Sequence, residues 1–389
     1  MQSANNDPFE IEAMTALRRD LHANPELGFE EMRTSAIVAE KLTEAGIEIH
    51  RGLGKTGIVG TLRVGTGTRR IALRADMDAL AMPELAERDY RSNTPNTMHA
   101  CGHDGHTVML LAAARHLAKT RNFSGTVHFI FQPAEEGRGG AKAMLDDGLL
   151  RLFPVDAVYG LHNMPGLATD EMAVVPGPQL ASSDSWTVTF RGIGTHGAKP
   201  HLGRDAITAA GHFLAAIHTI VARVVDPLQP AVVSACALEA GDFKALNVIP
   251  DQVRIGGTAR AYTPEVRDQL EREIGTIAKG IAATFGVAAE YHFQRRIPPV
   301  VNNADATARA LRAAQAATGR PVVTDFPPST AGDDFAFFSG EMPGAYVWLG
   351  NGPAVDGALH HNSRYDFNDD AILTGARFWT ALVEQELSA

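Results

Sequence analysis

A regular alternation of short apolar, β-branched runs with helical segments is broken once along this chain, and that break constrains the fold more than any other feature. Runs at residues 47–53, 57–64 and 70–76 follow a helical segment around 33–45, and from 76 onward helical segments around 108–117 and 141–150 alternate with runs at 126–131 and 157–161. This is the pattern of an α/β sheet that carries its function at strand ends. Upstream, Asp7-Pro8 reads as a cap and first turn, with Phe9, Ala13, Leu17 and Leu21 at helical spacing behind it. From 185 the texture changes. An alternating run at 185–191, a glycine-rich turn at 192–197, a long apolar helix, runs at 231–240 and 253–261, a helix at 264–285 and a run at 288–295 give the order β-α-β-β-α-β. Helical and strand patterns resume at 305–318, 345–349 and from 369. The expected fold class is α/β, a mixed-sheet domain formed by residues 1–184 and 298–389, with an inserted ferredoxin-like α+β domain at 185–297. Two domains also suit 389 residues, too many for one ordinary core.

The formal net charge of -10, with no Lys/Arg run, argues against nucleic acid or an anionic membrane as partner and points to small molecules. Residues 1–12 lack the basic start and apolar core of a signal peptide, and two distant cysteines, Cys101 and Cys236, make no disulfide framework. A cytoplasmic location is expected. The apolar stretch 207–225 contains His212, His218 and Arg223, so a buried-faced helix is expected there and not a membrane span.

The chemistry is concentrated in His99-Ala100-Cys101-Gly102-His103-Asp104-Gly105-His106. Thiolate, imidazole and carboxylate are the donors that borderline-soft divalent ions take, and Cys101 with His103 supplies two of them. Gly102 and Gly105 argue for a turn, with a helix from about 108 and Asp104 near its start, where a helix N-terminus would favour the Cys101 thiolate. Two ligands do not hold a catalytic metal, so further donors are needed. Glu135 and Glu136, in Gln132-Pro133-Ala134-Glu135-Glu136-Gly137, follow a strand, and one could ligate metal while its neighbour acts as general base; a solvated acidic loop is the plainer alternative. His162 ends another apolar run, and His360-His361 lies near the C-terminus. Asp76 or Asp78 could accept the free ring N–H of a ligating histidine. In the inserted domain His196 sits in the glycine-rich turn, Asn247 in Asn247-Val248-Ile249-Pro250-Asp251, and Arg260 ends a strand, where it could grip a carboxylate or serve as a plain surface charge.

These motifs, in this order, resemble the M20 family of metallopeptidases and amidohydrolases, in the branch of hippurate hydrolases and auxin-conjugate (indoleacetyl-amino acid) hydrolases. The resemblance is carried by Arg74-Ala75-Asp76-Met77-Asp78-Ala79-Leu80, Met98 through His106, Gln132 through Glu136, Gly160-Leu161-His162, Pro200-His201-Leu202-Gly203-Arg204-Asp205, Asn247 through Asp251 and Tyr365-Asp366-Phe367-Asn368-Asp369. It implies a zinc-peptidase-like catalytic domain in which Cys101, His103, Glu136, His162 and a C-terminal histidine hold one or two divalent ions, zinc first, with manganese, cobalt or nickel also suited. It implies Glu135 as catalytic base and the inserted domain as a lid and dimerisation module, and of the two strand-end carboxylates Asp76 is the one expected to support a ligand. From that module His196 would reach a partner subunit's site in a homodimer, and Asn247 and Arg260 would bind substrate. The activity implied is metal-dependent hydrolysis of an N-acyl amino acid to a carboxylic acid and a free amino acid. The alternatives are a metallo-dipeptidase or carboxypeptidase of the same fold, a cysteine hydrolase using Cys101, or a non-catalytic binding protein.

Three places depart from the family pattern. The C-terminal run reads Leu359-His360-His361-Asn362-Ser363-Arg364, and counting back from Tyr365 favours His361 over His360. Ala331-Gly332-Asp333-Asp334-Phe335 stands where Gly-Ser-Glu-Asp-Phe is usual, and Thr195-His196-Gly197-Ala198-Lys199-Pro200 replaces the usual lid turn.

Overall fold

The computed structural model describes residues 7–354 and 357–388; residues 1–6, part of the stretch read as lacking a leader, lie outside them. The chain folds as two compact units, a larger one of Met1–Gly177 with Asn302–Pro327 and Asp333–Ala389, and a smaller one of Pro178–Val301 with Pro328–Gly332. The smaller unit thus begins before 185 and ends after 297, because the short strands flanking the insertion and the 328–332 segment pack with it.

In the larger unit seven strands form one mixed sheet, in the order Glu48–Leu53, Gly57–Val64, Gly125–Gln132, Arg70–Asp76, Ala157–Met164, Gly344–Gly350, Met172–Ala173. Gly125–Gln132, Arg70–Asp76, Ala157–Met164 and Gly344–Gly350 are mutually parallel, so their C-terminal ends lie along one edge. The central strands are buried along almost their whole length and read as continuous apolar runs for that reason. Helices His103–Thr120, Ala304–Thr318 and Ala371–Glu386 contribute Leu110, Leu111, Ala310, Trp379 and Leu382 to the core they share with Phe129 and Tyr159.

Pleating places Arg74, Gly160 and Tyr346 in one row across three strands. A Cβ on Gly160 would come within 3.0 Å of both Tyr346 and Phe335, so only glycine lets the flanking large side chains close over that position.

The smaller unit has a four-stranded antiparallel sheet ordered Ala231–Ala240, Gln252–Ala261, Ser183–Arg191, Ala288–Ile297. Relative to chain order this is 2-3-1-4, the ferredoxin-like arrangement. Helices Ala206–Ile217 and Pro264–Phe285 bury Phe213, Leu270 and Ile274 against Trp186, Phe190 and Ile255. The long helix expected over 207–225 is shorter: it stops at Ile217, and Ile220–Val224 forms a separate π-helical turn. Among the described residues no helix is long and apolar enough to cross a membrane.

The first helix, Ile11–Ala23, starts later than Asp7-Pro8, whose Asp7 carboxylate accepts from the N–H groups of Phe9 and Ile11. Its buried face carries Met14, Arg18, Leu21 and His22 in place of the purely apolar stripe expected. His22 Nδ1 lies 2.8 Å from Asp104 Oδ2 and its Nε2 3.3 Å from Glu84 Oε1, with Arg18 Nη1 3.5 Å from the same Asp104 oxygen. Burial alone would lower the His22 pKa, but hydrogen bonds to Asp104 and Glu84 outweigh it and push it up to about 9. A histidine with a raised folded pKa contributes stability that is complete below about pH 6.5 and is lost as pH rises through about 9. The melting temperature of the metal-free protein should therefore fall from pH 6.5 to 9.5, His22 alone contributing the equivalent of about 3 kcal/mol. His22→Gln should flatten that part of the curve, and an unchanged slope in the variant would refute the assignment.

Candidate metal centre

The segment 99–106 does not stay a turn. The helix begins at His103, directly after Gly102, which takes φ 86. Gly105 lies inside the helix because the Phe367 ring occupies the space a Cβ would need, a tertiary reason invisible in local sequence. His103 and Asp104 thus enter on the first helical turn with Cys101 just outside it. Burial, followed by the charge of Glu136, raises the Cys101 thiol pKa in the metal-free protein.

Cys101, His103 and His162 bring ligand atoms within 4.8 Å of one another, as do Cys101, Glu136 and His361, and His103, Glu135 and Glu136. The residues read from the sequence therefore converge in overlapping groups that share Cys101, His103 and Glu136. Cys101 Sγ lies 3.4 Å from His162 Nε2, and His361 Nε2 3.3 Å from Glu136 Oε1. His162 Nδ1 is 2.7 Å from the Asn163 carbonyl oxygen and so carries the proton, leaving the Nε2 lone pair toward the sulfur. His361 takes φ 61, and in the metal-free protein hydrogen bonds to Cys101 and Glu136 push its pKa up to about 10. His360 points elsewhere, to Asn163 Oδ1 at 3.0 Å.

The donor set fits a divalent cation. Among the described residues, neither ring nitrogen of the buried His103, nor Glu136 Oε1, has a well-directed hydrogen-bond partner, although each faces polar atoms. Buried polar atoms left in this state are costly; a cation between His103 Nε2 and Glu136 Oε1, which lie 3.9 Å apart, would satisfy those two, while His103 Nδ1 faces Asp78 Oδ1 at 3.3 Å. His99 stands apart: both its nitrogens are unpartnered, but it packs beside His22, and burial pushes its pKa down to about 4.

Both carboxylates weighed from the sequence stand beside the donor set. Asp76 accepts from His106 Nδ1 at 2.6 Å and lies 3.8 Å from His103, whereas Asp78 Oδ1 is 3.3 Å from His103 Nδ1. The Asp76 oxygen that faces His103 also accepts from Arg74 at 2.6 Å. Asp78 also accepts from the backbone N–H groups of Glu135 and Glu136, both at 3.0 Å. Buried Glu31 completes this clamp, accepting from Ala134 N–H at 2.8 Å and Thr56 O–H at 2.6 Å. The clamp matters because Ala134 has φ 54, a conformation that a non-glycine residue keeps only when its surroundings impose it.

Behind the two glutamates, fully buried Arg74 pairs with Asp76, Asp333 and Asp334, and Tyr346 O–H donates to Asp333 at 2.6 Å. Asp333, the position that departs from the family pattern, therefore spans Arg74 and Tyr346 across the gap left by Gly160. Glu135, Asp333 and Asp334 bring carboxylate oxygens within 4.8 Å. Burial, followed by the charges of Asp333, Glu136 and Asp334, holds the Glu135 pKa well above the usual carboxylate range. Glu31, Asp78 as a clamp, and Arg74 are not identifiable from sequence pattern alone. Asp78 lies in a motif already singled out, while nothing local marks Glu31.

His196, Asn247 and Arg260 belong to the smaller unit. Thr195–His196 pairs with Val248–Ile249, and His196 and Asn247 line one open cavity of about 710 Å³. Arg260 turns to the Thr258 hydroxyl and the Ala259 carbonyl.

Comparison with known proteins places this geometry in context. The sequence profile of peptidase family M20/M25/M40 matches residues 72–385. A hippurate hydrolase of Campylobacter jejuni subsp. jejuni is 42% identical over 94% of each chain. An IAA-amino acid hydrolase of Arabidopsis thaliana is 36% identical over 96% of this chain and 86% of its own. A solved Bacillus subtilis structure, described as a dinuclear metal-binding peptidase from the M20 family, superposes with TM-score 0.85 at 33% identity over 97% of this chain and 98% of its own. The chain thus belongs to peptidase family M20/M25/M40, in the branch of these hippurate and IAA-amino acid hydrolase relatives, as a metal-dependent hydrolase of amide bonds.

Proposed function

We propose that the substrate is an N-acyl amino acid, cleaved to a carboxylic acid and a free amino acid. The observation that carries the chemistry is Glu135: a buried carboxylate with high proton affinity, beside the donor atoms of His103 and Glu136 but clamped by its own backbone. A divalent ion held by Cys101, His103, Glu136, His162 and His361 would supply Lewis acidity toward water and the amide carbonyl. Glu135 accepts a proton from the attacking water and passes it to the leaving nitrogen, a transfer its raised proton affinity favours near neutral pH. His196 donates to the developing oxyanion, and Asn247 and Arg260 bind the substrate carboxylate, with His196 serving a partner subunit's site in a homodimer. A cytoplasmic site of action suits the free Cys101 thiol. The substrate class draws on the names of relatives, which include a hippurate hydrolase and, at 37% identity, an N-acetyl-L-cysteine deacetylase of Bacillus subtilis.

The test is amine release from hippurate, N-acetyl and indoleacetyl amino acids and short peptides. It is run after reconstitution with zinc, manganese, cobalt or nickel, with the mass in solution measured alongside. Turnover of the N-acyl amino acids is expected. Turnover of peptides alone would replace the proposal with a carboxypeptidase, silence of the metal-loaded protein on the whole panel would favour a binding protein, and a strictly monomeric active form would remove His196 from a partner's site.

A further inference from the structure

Asn163 has no role in the proposed reaction, yet it is the most fully used polar residue beside the donor set. It is completely buried, one position after His162. Its backbone N–H donates to His106 Nε2 at 3.0 Å, and its carbonyl accepts from His162 Nδ1 at 2.7 Å. Its side-chain N–H donates to the Cys101 carbonyl at 2.6 Å, and its Oδ1 accepts from Tyr365 O–H at 2.7 Å and His360 Nε2 at 3.0 Å. One side chain therefore ties the segments that carry Cys101, His162 and His361. The space it fills exists because residue 102 is glycine: a Cβ there would stand 2.5 Å from both Asn163 Nδ2 and Tyr365 Oη.

The two consecutive histidines make this consequential, since either offers an imidazole to the same neighbourhood. His361 reaches Glu136 through a left-handed backbone, φ 61, that a non-glycine residue adopts at a cost. Two bonds hold it there, from His361 N–H to the Ala100 carbonyl at 2.8 Å and from His360 Nε2 to Asn163 Oδ1. We propose that Asn163 is a positioning residue that fixes, through His360 and Tyr365, which of the two histidines faces Cys101 and Glu136, and through the Cys101 carbonyl sets the opposite side of the same donor group. His360 is then a strut and not a ligand. The inference rests on the metal-centre reading but not on the identity of the substrate.

The test uses the full-length protein and cobalt(II), with affinity measured by chelator competition and sulfur ligation followed by the thiolate-to-cobalt absorption. Asn163→Leu, close in size but unable to hydrogen-bond, should weaken cobalt binding roughly 10- to 100-fold, the usual loss when a residue supporting a metal ligand is removed. His360→Leu should lose part of that factor, His360→Gln, which keeps a donor at a comparable reach, should recover most of it, and the Asn163→Leu/His360→Leu pair should lose no more than Asn163→Leu alone. Unchanged affinity in the single variants, fully additive losses in the pair, or equal losses for His360→Gln and His360→Leu would each overturn the proposal. If Asn163→Leu does not fold, the His360 pair with Tyr365→Phe, which removes one of the two bonds to Oδ1, carries the same comparison. Wild-type protein that binds no cobalt would sink the metal-centre reading and this proposal together, whereas variants that match a cobalt-binding wild type would sink this proposal alone.

Discussion

Glu135→Gln should lower kcat by roughly 10²- to 10⁴-fold, the contribution of a positioned general base, with metal content unchanged and KM altered little. Glutamine keeps the size of the side chain and leaves untouched the backbone bond from residue 135 to Asp78, so the loop geometry is expected to survive. What disappears is the ability to take a proton. Asp333, Glu136 and Asp334 are arranged so that a proton arriving on Glu135 relieves repulsion among buried carboxylates, and a neutral amide gains nothing from that field. A bound cation would pull the Glu135 pKa back down, so the value that governs turnover lies below that of the metal-free protein. A Glu135→Gln enzyme that turns over at a near-normal rate would remove Glu135 from the reaction.

Cys101→Ser should weaken metal binding by more than about 100-fold, beyond the range typical of losing a supporting residue, because Cys101 joins the donor group of His103 and His162 to that of Glu136 and His361. A hydroxyl is a poor substitute for thiolate toward zinc or cobalt, since it neither ionises readily nor matches a softer cation. Activity should fall with occupancy and return in part at high metal concentration. The competing outcome is sharp: activity abolished in a protein that keeps its full metal complement would identify Cys101 as a nucleophile and make the enzyme a cysteine hydrolase. Chelator sensitivity of the wild type, measured beside thiol alkylation of the metal-loaded form, separates the same two chemistries.

Much of the architecture was legible because strands and helices here announce themselves by period. The runs at 57–64 and 70–76 and the helix at 264–285 coincide with the observed elements, each bounded by residues whose local chemistry ends it. The helix starting at His103 was not legible, since Gly102 and Gly105 speak locally for a turn and only the Phe367 ring, far along the chain, explains a glycine inside that helix. The stretch 207–225 failed for a related reason: uniform hydropathy does not show where a helix stops, and the π-helical turn at Ile220–Val224 has no sequence signature.

By itself the sequence determined the class of fold, its interruption by a second unit, and the kinds of donor atoms available, because residue type and period are local properties. It also marked Cys101, His103, Glu136, His162 and His361 as candidates. Only the tertiary structure decided that these five converge, that Asp78 and not Asp76 stands nearest His103, and that Glu31 and Asn163 hold the segments bearing them. The physical reason is that hydrogen-bond partners are chosen by distance in space. A buried carboxylate or amide is bound to whatever donor the packing brings within about 3 Å, and no rule of spacing along the chain records that choice.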